Sequence, residues 1–182
     1  MELQTLAKEA GVVSTAYVVA FFATFELLMP VQALYFPDFP SHASLLFLPH
    51  GVRVLSAWLL GWRSVLALLP GVLLVFVYVA GSGAFAPSRL AAITIAVSVP
   101  ALVFYALKTV GWDLRPGPGR PPRWTRIMFA GLVISVVSGV LTNLAFGSPP
   151  QDYFAYLIGD FFGQFFLMLL LMFAFRHLRR RA

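Results

Sequence analysis

Apolar residues come in long runs rather than in the one-sided stripes of a water-soluble helix, and proline, glycine or charge marks the breaks between them. The runs cover residues 11–29, 44–62, 65–80, 90–107, 127–146 and 153–175. Each approaches the roughly 20 residues that an α-helix needs to cross a hydrocarbon core of about 30 Å. Helices and closed barrels alone satisfy every backbone group inside a bilayer. The pattern therefore predicts an all-α, polytopic integral membrane bundle of six transmembrane helices. Pro30 is expected to close the first run, and a turn-rich outer loop follows through Pro37, Asp38, Pro40 and Ser41. That first run has no small-residue cleavage pattern and more spans follow it, so it reads as a retained helix rather than a signal peptide. Pro49, His50, Gly51 and Arg53 interrupt the second run, and Pro70–Gly71 the third. A tight turn at Gly147–Ser148–Pro149–Pro150 joins the last two. Residues 108–126, with four prolines, have the composition of a linker and separate four helices from two within a single membrane domain, 1–182.

Composition removes several classes of function. With 60% hydrophobic and 11% charged residues there is too little polar surface to face water, and the spans leave only short loops. No extramembrane catalytic domain fits, and no P-loop, GxSxG, HExxH or dinucleotide fingerprint occurs, so the chain is not expected to be an enzyme. The absence of cysteine excludes disulfides, thiolate-bound metals, iron–sulfur clusters and thiol nucleophiles. No cofactor or metal is expected. The net charge of +6 is accounted for by membrane lipids, whose anionic headgroups attract Lys and Arg beside spans, and nucleic acid is not an expected partner.

Charge also orients the bundle. With the N-terminus inside, eleven of the 13 basic residues fall on the inner side: Lys8, Arg63, Lys108, Arg115, Arg120, Arg123, Arg126, Arg176, Arg179, Arg180 and Arg181. Arg89 alone is outside, and Arg53 lies within a span. The positive-inside rule then places both termini in the cytoplasm of a multi-pass protein of the cell inner membrane. Trp62, Trp112 and Trp124 sit at the predicted inner boundaries, where indole rings anchor to headgroups.

Ionisable groups inside the hydrocarbon are the sharpest signals, because each costs about 2.5–3.5 kcal/mol at a helix centre. Glu26, Arg53 and Asp160 are three of them, and the spans bring all three to one level in the outer half. Three readings stand. One is a buried ion pair that sets helix register and binds nothing; another is a polar pocket, open to the outer side, for a small ligand or proton; the third leaves Glu26 out of the cluster, at the outer interface. His50 lies three residues before Arg53 and so faces the same way, beside a break made by Pro49 and Gly51. A lone histidine at this depth also fits axial ligation of a haem, but no second ligand is well placed: His42 is in the outer loop and His177 among the inner arginines. His50 is better read as a hydrogen-bonding member of the cluster. Trp58 lies deeper than the other tryptophans and is a candidate pocket wall.

Gly131, Ser135, Gly139 and Asn143 recur every four residues, and Gly159 with Gly163 forms a GxxxG step. Both read first as helix-packing faces. Asp160 and Gln164, one position further round, form an adjacent polar face with Asn143 as a partner across the hairpin. The candidate ligand-binding residues are thus Glu26, His50, Arg53, Trp58, Asn143, Asp160 and Gln164.

Four stretches carry a resemblance: Leu48–Pro49–His50–Gly51–Val52–Arg53, Leu60–Gly61–Trp62–Arg63, Leu69–Pro70–Gly71 and Ile158–Gly159–Asp160–Phe161–Phe162–Gly163. Together they resemble the bacterial membrane-associated sensor domains of the MASE type, which precede cyclase or kinase modules. The resemblance implies a sensory or ligand-binding bundle. It covers about a third of the chain, with fewer helices and without an output domain before Ala182. Any signal is then expected to pass to a separate cytoplasmic or membrane partner through residues 108–126 or Arg176–Arg181. A small transporter, and a structural or assembly subunit of a larger complex, are the competing readings.

Overall fold

The computed structural model describes residues 2–36, 44–115, 117, 123–147 and 151–179. The outer-loop reading, His42 and the Ser148–Pro150 part of the last turn lie outside them, as do Arg120, Arg180 and Arg181. The described residues form helices α1 (Glu2–Phe22), a π-helical turn (Ala23–Leu28), α2 (Met29–Tyr35), α3 (Leu48–Leu60), α4 (Arg63–Ala80), α5 (Pro87–Thr109), α6 (Trp124–Phe146) and α7 (Gln151–Arg179), with a 3₁₀ turn at Gly81–Phe85. Five stretches are long and apolar enough to cross a membrane: Leu3–Tyr35, Arg63–Phe85, Pro87–Thr109, Trp124–Phe146 and Tyr153–Arg179.

Pro30 does not close the first helix. The chain winds one π turn ahead of it, in which the Met29 N–H bonds the Thr24 carbonyl, five residues back. The wider turn absorbs the ring and the missing donor that would otherwise break an α-helix, and helix continues to Tyr35.

The second apolar run is not a span of the same kind as the others. Its helix, α3, has 13 residues, about 20 Å at 1.5 Å per residue and too short to cross unaided. Pro49 sits in its first turn, where a missing N–H costs least, and residues 44–47 ahead of it are not helical. Non-helical backbone at this depth needs partners from the protein itself. It finds them on two neighbours. The Phe47 N–H donates to the Gly159 carbonyl at 2.9 Å, Leu45 N–H to Gln32 Oε1 at 2.7 Å, and Leu48 N–H to Thr24 Oγ1 at 3.2 Å. The Thr24 hydroxyl in turn donates to the Leu46 carbonyl at 3.3 Å. The GxxxG step is what lets this non-helical segment lie against α7. A methyl group on Gly159 would strike the Ser44 carbonyl, and one on Gly163 the backbone of Phe47. The motif seats irregular backbone where a second helix was expected.

The Pro70–Gly71 break is closed in a related way. Ser14 Oγ on α1 accepts from the Gly71 N–H at 3.0 Å and donates to the Ala67 carbonyl at 2.9 Å. One hydroxyl thus stands between the donor and acceptor of a single helical rung. Ser14→Ala is expected to cost about 1–2 kcal/mol, read as a lower midpoint of thermal unfolding in detergent, because both backbone groups lose a buried partner.

α3 lies at the centre and contacts α1, α4, α5, α6 and α7. Pro49 to Val54 are all buried, and Val54 and Ala57 have no exposed surface. One apolar core joins Val52 to α1, α4 and α5; the other joins Val54 and Ala57 to α5 and α6. The starts of α1, α4 and α6 and the ends of α3, α5 and α7 meet at one end of the bundle. Lys8, Arg63, Lys108, Arg123, Arg126, Arg176 and Arg179 gather there, together with exposed Trp62, Trp112 and Trp124.

Candidate functional site

The first turns of α3 carry charge into the core. His50 is wholly buried and Arg53 is 9% exposed. His50 Nε2 lies 3.1 Å from the Gly131 carbonyl, which makes Nε2 the protonated nitrogen. Nδ1 is then an acceptor, 3.3 Å from Arg53 Nη2 and equally 3.3 Å from Asp160 Oδ2. A second proton on the ring would turn that last approach into an ion pair. Arg53 Nη2 is 4.0 Å from Asp160 Oδ1, and the Ser135 hydroxyl donates to Asp160 Oδ2 at 2.6 Å. The guanidinium also lies over the Phe47 ring, 5.7 Å from its centre. Because both His50 nitrogens face protein groups and the ring is buried, neither is presented to a haem iron.

Above this cluster a cavity of about 710 Å³ runs between α6 and α7 toward their connecting turn. Arg53, Ser135 and Asp160 form its floor, and Ser138, Thr142 and Asn143 add polar groups along α6. Phe25, Phe47, Phe146, Tyr153 and Leu157 supply apolar and aromatic walls. Its volume falls within the range of about 300–1,000 Å³ that holds small-molecule ligands.

The structure gathers His50, Arg53 and Asp160 and puts Asn143 in the same cavity. It parts company with the sequence reading over the other three candidates. Glu26 is exposed. Thr24 must turn inward to serve Leu46 and Leu48, and residues two apart on a helix face away from each other, so Glu26 is carried outward. Trp58 lies toward the opposite end of α3, where its indole N–H donates to the Leu114 carbonyl at 2.6 Å. Gln164 sits one turn inward of Asp160, fully buried, in the notch left by Gly131, and its amide N–H donates to the Ile127 carbonyl at 2.9 Å. Asn143 is eight residues beyond Ser135, roughly 12 Å along the helix, so Ser135 takes the role of Asp160's partner across the hairpin.

Several polar contributors, Ser135, Ser138 and Thr142 among them, escaped the sequence reading. Ser135 was visible as part of a small-residue face, but a packing face does not reveal which of its members meets a carboxylate. Ser138, one turn from Thr142 on α6, carried no signal of its own.

No protein-family model matches this chain, and neither does any curated protein or solved structure.

Proposed function

We propose that this chain is a sensory or small-ligand-binding module of a bacterial inner membrane, with both termini cytoplasmic and its cavity opening to the outer side. Ligand in the cavity shifts a helix equilibrium, and a cytoplasmic or membrane partner reads the shift at the basic end. One observation carries this reading: a single short helix touches both regions. α3 holds Arg53 in the cavity floor, and five residues on, Trp58 grips the linker at Leu114. Gly61, which ends α3 at φ +59°, has the Arg115 guanidinium packed against it. A tilt of α3 at the cavity therefore moves the linker directly. The MASE-type resemblance points the same way. The cavity runs toward one end of the bundle, which favours binding over passage through it.

The chain has no cysteine, so a labelled pair can be introduced without background. With spin labels at exposed Val110 and Arg176 in nanodiscs, filling the cavity by Ser138→Phe is expected to shift the interlabel distance by about 1–2 Å or more. Adding Trp58→Phe, which removes the bond to Leu114, is expected to abolish the shift. An unchanged distance in Ser138→Phe would leave the cavity uncoupled from the basic end and sink the sensory reading.

A further inference from the structure

The cavity also constrains what enters it. We infer that it takes an electrically neutral amphiphile whose head carries a hydrogen-bond acceptor, such as a carbonyl or ester oxygen, on an apolar, ring-bearing body. This rests on the reading of the cavity as a ligand site, and it adds the ligand's chemistry.

Charge comes first. Among the described residues, Arg53 and Asp160 are the charged side chains that line the cavity, one of each sign and 4.0 Å apart. Their sum is zero. A ligand anion would set two negative charges against one guanidinium, and a ligand cation would reverse the imbalance; in a largely apolar enclosure either leaves charge uncompensated. A soluble carboxylate or phosphate is therefore disfavoured, as is a simple ammonium.

Hydrogen bonding sets the head. Arg53 and Ser138 are each more than nine-tenths buried and both line the cavity. Arg53 Nε and Ser138 Oγ are buried polar atoms without a hydrogen-bond partner among the described residues. Arginine has donors only, and a serine hydroxyl can donate. The acceptor side of the floor is already engaged, since Asp160 takes the Ser135 hydroxyl and faces Arg53. What the floor lacks is an oxygen that accepts. The walls set the body: Phe25, Phe47, Phe146 and Tyr153 present ring faces and edges along the cavity, and Phe25 and Phe47 already stack edge to face at 6.3 Å. Such rings favour a planar or ring-bearing apolar group.

A matched series tests this in nanodiscs at equal bilayer concentration: 4-hexylacetophenone, 4-hexylbenzoate, 4-hexylbenzylammonium and hexylbenzene. Apparent affinity is read from the shift in the thermal unfolding midpoint. The ketone is expected to bind on the order of tenfold tighter than each of the others, the scale set by a hydrogen bond to a charged donor. Ser138→Ala is expected to weaken the ketone several-fold and leave hexylbenzene unchanged. Equal or tighter binding of the benzoate or the ammonium probe would overturn the neutrality argument. Equal binding of hexylbenzene would overturn the acceptor requirement; in both cases the cavity stands as a ligand site. If no probe shifts the wild type more than it shifts the cavity-filled Ser138→Phe variant, the ligand-site reading falls together with the inference.

Discussion

Replacing Gly163 with leucine is expected to cost about 3 kcal/mol or more and to strip most of the folded, monodisperse protein from a detergent preparation. The position looks replaceable, since it is an interior helical residue where a side chain ordinarily improves propensity. What forbids it is the neighbour. A Cβ at Gly163 would strike the Phe47 backbone, and one at Gly159 the Ser44 carbonyl. Backbone cannot rotate aside as a side chain can, so α7 must retreat. The Phe47 N–H then loses the Gly159 carbonyl in a place where water cannot replace it. Gly11 is the internal control. It is exposed on α1 with nothing within 4 Å of its would-be Cβ, and Gly11→Ala is expected to stabilise by about 0.5–1 kcal/mol. Thermal unfolding of the two variants in one detergent decides the matter: similar midpoints would mean that residues 44–47 are not seated on α7.

The second large effect belongs to the charged floor. Arg53→Gln leaves the Asp160 carboxylate, its side chain only 13% exposed, with the Ser135 hydroxyl as its remaining close donor among the described residues, beside His50. Removing one partner of a buried pair costs about 3–5 kcal/mol, and the 4.0 Å separation places this case near the lower end. Arg53→Gln with Asp160→Asn removes both charges and is expected to recover at least half of the loss. The double variant also separates structure from function. A well-folded double variant that no longer discriminates between the neutral and the charged probes assigns the pair to ligand selection. A single variant as stable as the wild type would mean that the two charges are not coupled.

Much of the architecture was legible because bilayer physics acts on composition. Long apolar runs have few alternatives to helix, and charge at their ends sorts the loops; the observed α4, α5, α6 and α7 therefore begin and end within a few residues of the runs read from hydropathy. Proline was less legible. Pro30 stops an ideal α-helix, but a π turn at Ala23–Leu28 moves the missing donor to a rung that does not need it. Pro70–Gly71 likewise remains helical because Ser14, more than fifty residues earlier, fills the rung.

The site divided along the same line. His50 and Arg53 are three apart on one helix, so their proximity follows from helical geometry before any tertiary contact is known. Their meeting with Asp160 does not. It requires α7 to come within the width of a backbone, which Gly159 and Gly163 permit and the non-helical residues 44–47 require. Glu26 shows the limit most clearly. Its depth along the chain suits the cluster, but depth says nothing of azimuth, and the rotation of that helix is set by Thr24 serving Leu46 and Leu48. Trp58 is its counterpart at the other end, an indole whose partner, Leu114, lies in a segment read as a linker and a partner contact but not as a site for Trp58. Hydropathy and charge thus decide that the chain folds as apolar helices, where α4 to α7 run and which end is basic, because those properties depend on each residue's own transfer from water to lipid. Which polar groups meet, and the cavity they enclose, depend on helix rotation and close approach, and these are resolved only when the neighbouring helices are in place.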